Sequence, residues 1–327
     1  MAELRWNPLL RDWTMVAAHR QNRPDMPKDF CPFCPGSGKV PQDYDVFKYD
    51  NDFPVLSPNP PEPDDVGSAF YKTRKAHGKC EVILYSPEHN ASLCELPVEH
   101  LKKLVDLWTE RFVELSRDEE IKYIFIFENR GKEVGVTMPH PHGQIYGYPY
   151  IPLKLKVELN SARSYFEENQ QCLFCKIVEE EEEMEVRVIL DNEDFIVYLP
   201  FFTDYPYGVY ISAKRHMSNF TQFTEGEKIN FAKILKETTG TFDTLFHKKF
   251  PYMMGIYQNP VNSPEYGNVQ DYYHFHVKFY PPLRAENSIK YNASSETGAW
   301  AAANPRSLEE TAVELREAYK RFKEKDL

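Results

Sequence analysis

Apolar residues recur at helical spacing in two long stretches of the chain, each enclosed by segments with a β pattern. In "VEHLKKLVDLWTERFVEL" (98–115), Leu101, Leu104, Val105, Trp108, Phe112 and Leu115 fall on one side of a helical wheel, which predicts an amphipathic helix with one buried face. In "EKINFAKILKETTGTFDTLF" (227–246), Ile229, Ala232, Leu235, Phe242 and Leu245 repeat that period. Strand-like "CEVILYS" (80–86) precedes the first helix and "YIFIFEN" (123–129) follows it. "FIVYLPF" (195–201) and "YGVYISA" (207–213) precede the second, and "YMMGIYQN" (252–259) follows it. The C-terminal "SLEETAVELREAYKRFKEK" predicts a further amphipathic helix, and the acidic run Glu179 to Glu183 a solvated surface.

The order of these features is the same in both halves, and so are the residues between them. Cys31-Pro-Phe-Cys34, a strand, His89, a helix, a strand ending in Asn129 and His140-Pro-His142 make the first series. Cys172-Leu-Phe-Cys175, strands, His216, a helix, a strand ending in Asn259 and His274-Phe-His276 make the second. Such self-similarity predicts an internal duplication. Two α+β halves follow, residues 1–155 and 156–327, joined near "YIPLKLKVELN" and sharing one sheet or packing sheet to sheet. Hairpin-like succession of strands with one long helix per half favours an antiparallel sheet.

Of 327 residues, 42% are hydrophobic and 14% aromatic, enough for a core that serves both halves. Fifty acidic against thirty-nine basic residues give a net charge of −11, which excludes a general binder of nucleic acid or of anionic membrane. "MAELRWNPLL" is charged where a signal peptide needs an apolar core, and no apolar run approaches the ~18 residues of a membrane span, so a cytoplasmic protein is expected.

In a reducing compartment a Cys-x-x-Cys pair points to metal more than to a disulfide. Structural zinc takes such a knuckle plus two ligands that the fold brings from afar. Cys31, Cys34, His89 and His140 supply one set; Cys172, Cys175, His216 and His274 supply its counterpart, with His276 an alternative to His274. Cys80 and Cys94 lack this spacing and are expected to fill the core.

If His140 holds metal, side-chain alternation along an extended strand turns His142 elsewhere and leaves it for chemistry. Neutral imidazole attacks phosphorus without an activating base, provided its other nitrogen is hydrogen-bonded. Gly143 would let a substrate approach the backbone, and Gln144 could donate to a phosphoryl oxygen.

"TMPHPHGQIYGYPYIP" resembles the signature of the galactose-1-phosphate uridylyltransferases of the histidine-triad superfamily. "RWNPLLRDWTMVAAHRQNRP", "YDNDFPVL", "FENRGKEVGVTM" and "HVKFYPPLR" are similar to further segments of that family, in order along nearly the whole chain. The resemblance implies a duplicated histidine-triad-like fold, an antiparallel half-barrel sheet with flanking helices. It also implies a ping-pong reaction in which His142 takes UMP from UDP-glucose and passes it to galactose 1-phosphate. Arg20 and Arg23 then match phosphate-contacting arginines, Asn51 and Asp52 the uridine contacts, and Asn129, Gly135, Thr137 and Gln144 the groups around the reacting phosphoryl. Lys290 and Glu296 match contacts to the hexose phosphate, on a segment that reaches across a homodimer interface.

The chain also departs from that family. Some members bind a second metal through a carboxylate and three histidines; here Ser164, Tyr257 and Lys278 stand at three of those places, so that site is expected to be missing. The Cys172 set resembles the two-zinc arrangement of ADP-glucose phosphorylases. An ADP-sugar or dinucleoside polyphosphate phosphorylase using His142 therefore stays open, and so does a zinc-stapled binding module without catalysis.

Overall fold

The computed structural model describes residues 2–22 and 30–325. The first half contains β1 (Ala2–Asn7), β2 (Asp12–Ala17), β3 (Phe47–Asp50), β4 (Thr73–Lys75), β5 (Lys79–Leu84), α1 (Val98–Leu115), β6 (Tyr123–Arg130) and β7 (His142–Tyr148). Then come α2 (Leu153–Asn169), α3 (Leu173–Met184), β8 (Val188–Asp191), β9 (Phe195–Tyr198), β10 (Tyr210–Ala213), α4 (Glu225–Leu245) and β11 (Tyr252–Tyr257). The chain ends with α5 (Val269–Tyr272), β12 (His276–Tyr280), β13 (Leu283–Ala285), β14 (Ser288–Ile289), α6 (Ser294–Gly298) and α7 (Leu308–Lys325).

Nine strands form one antiparallel sheet in the order β3-β5-β7-β6-β11-β12-β10-β9-β8. The halves meet at β6 and β11, where Ile126 lies opposite Ile256. These isoleucines stand three residues before Asn129 and Asn259, so each strand pairs with its own counterpart and an approximate two-fold axis passes between them.

Strand alternation gives the sheet two different faces. One presents Ile83, Ile126, Ile145, Ile256 and Val277 to the apolar stripes of α1, α4 and α7 in the main core. The other presents Phe125, Tyr146, Tyr148 and Tyr257, covered by α2 and α3 and by the small sheet β2-β1-β4.

α1 spans the residues its periodicity marks, and α4 begins two residues earlier than its quoted stretch because Thr224 and Glu227 form a capping box. The junction near "YIPLKLKVELN" is itself helical: Leu155, Leu159 and Ala162 bury one stripe of α2. β9 stops at Tyr198, ahead of a turn at Pro200. The acidic run is not wholly solvated. Glu181 is buried, pairs with Arg187 at 3.0 Å and accepts the Phe201 N–H, which supplies the partners a buried carboxylate requires.

Candidate functional site

Each repeated half brings two thiols and two imidazoles together. The donor atoms of Cys31, Cys34, His89 and His140 lie within 4.8 Å of one another, as do those of Cys172, Cys175, His216 and His274. In the first set the His89 Nδ1 is 3.3 Å from the Cys34 Sγ, and the His140 Nδ1 is 3.6 Å from it. In the second, the His216 and His274 Nδ1 atoms are 3.3 and 3.4 Å from the Cys175 Sγ. The outer nitrogens are spoken for: His140 Nε2 donates to the Ser86 carbonyl (2.8 Å), His274 Nε2 to Ala213 (2.9 Å) and His216 Nε2 to Gln270 (2.7 Å). Those bonds leave Nδ1 with its lone pair facing the thiols, the second-sphere arrangement of zinc histidines. Burial pushes the His140 imidazole down to about 4, keeping it in the neutral form that coordinates metal. Both donor sets fit tetrahedral zinc.

His142 opens β7, and its Nδ1–H donates to the His140 carbonyl at 2.8 Å. The strand's own backbone thus fixes the tautomer, with the ring proton on Nδ1. The ring lines a cleft of about 340 Å³ at the ends of β6 and β7 with Asn129, Thr137 and His140. The wall also carries the cations Arg130, Lys132 and Lys249. Gly143 has no side chain for a specific reason: a Cβ there would overlap the Tyr85 hydroxyl.

The other expected residues, Gln144, Arg20, Asn51, Asp52 and Gly135, are not among those that line this cleft. Gln144 follows His142 on the same face of β7, opposite Val82 on one side and Phe127 on the other. Arg20 is half-buried in the turn Ala18–Asn22, near enough for its charge to act on the Cys80 thiol. Asn51 and Asp52 follow β3; the Asn51 side chain caps the Phe53 N–H at 2.9 Å, and Asp52 accepts the Tyr49 hydroxyl at 2.9 Å. Gly135 closes the turn Lys132–Val134 at φ 80°, a conformation that suits glycine. Arg23 lies outside the described residues.

Lys290 and Glu296 are not brought to His142. They share a separate cleft of about 370 Å³ with Tyr291 and Asn304, which has no lining residue in common with the first. His276 is not a ligand of the second metal set. It repeats the His142 geometry, Nδ1 on the His274 carbonyl at 2.8 Å, but is fully buried, stacked on Phe174 (4.6 Å) and Tyr257 (4.9 Å). At the departed family positions, Lys278 lies buried over the Tyr257 ring (4.4 Å) and pairs with Glu158 at 2.5 Å, so an ion pair occupies this part of the second half.

Three features escaped sequence reasoning. Phe33, inside the first Cys-x-x-Cys, packs on both His140 (6.1 Å) and His142 (6.0 Å), and Phe174 repeats this in the second half. The shared phenylalanine of "CPFC" and "CLFC" was the signal available. Tyr44 donates to the Phe33 carbonyl at 2.6 Å and lies 3.0 Å from His140 Nε2. Glu128, at the back of the His142 cleft, accepts from the Tyr252 hydroxyl (3.1 Å), and burial lifts its carboxyl to about 7.

Comparison with known proteins agrees with this geometry. The family model described as galactose-1-phosphate uridyl transferase, N-terminal domain, matches residues 1–152, and its C-terminal domain model matches residues 158–293. The galactose-1-phosphate uridylyltransferase of Thermotoga maritima is 42% identical over 318 residues, covering 97% of this chain and 98% of the relative. That of Saccharomyces cerevisiae is 32% identical, covering 88% and 86%. A solved uridylyltransferase superposes with a TM-score of 0.88 at 31% identity, over 98% of this chain and 99% of its own. An ADP-glucose phosphorylase from Arabidopsis thaliana shares the fold, with a TM-score of 0.75 at 23% identity over 97% and 99%.

Proposed function

The chain belongs to the galactose-1-phosphate uridylyltransferase family, and from that premise we propose that it transfers UMP from UDP-glucose to galactose 1-phosphate through uridylyl-His142. The observation that carries the reading is the His142 imidazole, its Nδ1–H on the His140 carbonyl and its ring in the cleft. In the first step Nε2 forms a bond to the α-phosphorus while the bond from that phosphorus to the bridging oxygen breaks, and glucose 1-phosphate leaves. In the second, a phosphate oxygen of galactose 1-phosphate attacks the same phosphorus and Nε2 departs with its lone pair. Both partners are phosphate oxygens, so no strong general base is required, and the site's task is alignment and charge neutralisation.

Asn129, Gly135, Thr137 and Gln144 surround the phosphoryl group in this reading, Arg20 and Arg23 meet the phosphates, and Asn51 and Asp52 meet the uridine. Zinc, held by the two Cys₂His₂ sets, staples each half. The halves 1–155 and 156–327 are the units of the repeat, and Lys290 and Glu296 serve the sugar from a second copy of the chain. The enzyme works in the cytoplasm; none of the described helices is long and apolar enough to cross a membrane.

Incubation with UDP-glucose labelled at the α-phosphate tests the reading. Wild type and His140→Ala are expected to differ in zinc content, whereas His142→Ala retains zinc and fold and takes up no label. Label that persists on His142→Ala would refute the assignment. If the labelled enzyme discharges to inorganic phosphate and not to galactose 1-phosphate, the phosphorylase reading replaces this one.

A further inference from the structure

The two-fold axis places a second cleft opposite the first. The ends of β11, the turn after His216 and the loop before His274 enclose about 960 Å³ of open space. Its walls occupy matching places to those of the His142 cleft. Asn259 stands for Asn129, and Asn219, three residues after His216, stands for Ser92, three after His89.

What changed is the charge. Counted from the paired isoleucines Ile126 and Ile256, the three cations of the first cleft have counterparts in the second: Pro260 for Arg130, Asn262 for Lys132 and Glu119 for Lys249. The lysine that does line the second cleft, Lys122, has its ammonium on the carbonyls of Glu119 (2.8 Å) and Asn262 (2.7 Å). Of the first cleft's cations, Arg130 is paired with Asp243 (2.7 Å) and Lys249 donates to the Asn90 carbonyl (2.6 Å), which leaves Lys132 facing the space, whereas a phosphate in the second cleft would meet the carboxylates of Glu119 and Asp271. The nucleophile's counterpart, His276, is buried under Phe174 and Tyr257 and lines none of it.

The cleft keeps polar groups of a different kind. Glu119, Asn268 and Gln270 are exposed on its walls, a carboxylate and two amides that can accept and donate at once. Gln258, next to Asn259 in the chain and at the place of Glu128, is fully buried and has an Nε2 without a hydrogen-bond partner among the described residues, but unlike Glu128 it does not line its cleft. Carboxylates and amides together match vicinal hydroxyls. We propose that this second cleft binds an uncharged, hydroxyl-rich ligand, of the class of free hexoses, and does no chemistry on it.

Saturation-transfer NMR on the whole enzyme with D-galactose or D-glucose, each with and without excess UDP-glucose to fill the His142 cleft, tests this. The expected result is a hexose signal that survives UDP-glucose and weakens about tenfold in affinity in Glu119→Ala/Gln270→Ala. That variant keeps its UMP transfer rate and thermal midpoint, because neither side chain touches the His142 cleft or the core. No signal from either sugar, a signal that UDP-glucose removes, or one that the double variant leaves unchanged would each overturn the proposal. Inorganic phosphate, as a third probe, is expected to shift no resonance of the second cleft; a shift there reverses the argument from charge.

Discussion

A single missing methyl group decides whether the strand bearing His142 fits its neighbours. In Gly143→Ala the new Cβ would overlap the Tyr85 hydroxyl and come within 3.0 Å of the Phe127 carbonyl, both in the packed sheet. Overpacking of this kind costs about 1–3 kcal/mol. Urea unfolding is expected to show that loss, together with slower UMP transfer, and Tyr85→Phe in the same chain to recover part of both. Glu128 gives a prediction with a sign. Its folded carboxyl is lifted from 4.5 to about 7, first by burial, so between those values the folded state binds a proton more tightly than the unfolded chain. Its contribution therefore declines as pH rises from about 4.5 to about 7 and is flat above. Glu128→Gln removes that slope, so the gap between denaturation midpoints at about pH 5 and about pH 8 should narrow. Residue types revealed the metal donors because spacing repeats them. Phe33 repeats in spacing as Phe174 does, but its packing on both histidines shows only in the fold, and Tyr44 and Glu128 follow no spacing rule, since their roles depend on contacts between segments far apart in the chain.

Helices carried their own periodic signal, and α1 and α4 were legible for that reason; their stripes fill the main core. The helix α2 was not, because Leu155, Leu159 and Ala162 make a thin stripe among lysines and glutamates. The small sheet was hidden as well, since β1 pairs with β4 about seventy residues away and nothing local announces that partner. The start of α4 makes a test at this scale. The Thr224 Oγ1 accepts the Glu227 N–H at 3.2 Å, and Glu227 returns the bond to the Thr224 N–H at 2.7 Å while Arg215 pairs with it. Thr224→Ala should lower stability by about 1 kcal/mol, read from the urea midpoint, and leave the transfer rate unchanged.

At the scale of the molecule, the cleft of Lys290 and Glu296 and the cleft of His142 are separate places in one chain. If the sugar contact comes from a second copy, mixing two inactive proteins restores a complete site. His142→Ala and Glu296→Ala, unfolded and refolded together in equal amounts, should regain roughly a quarter of the wild-type rate, the share of intact sites after random pairing in a two-fold dimer. Absence of any gain on mixing would place the acceptor contact elsewhere. The pairing of Ile126 with Ile256 has a consequence of another sort. A strand that meets its own counterpart is the contact two separate identical proteins make, and here a helical tether has made that contact permanent. A half cut free before α2 would offer the bare edge of β6 to any other strand, and its folding would depend on dilution. Joined, the halves meet at a fixed local concentration. The second half then holds the sheet together whether or not its histidine can react, which is why His276 could be sealed under rings without loss of the fold.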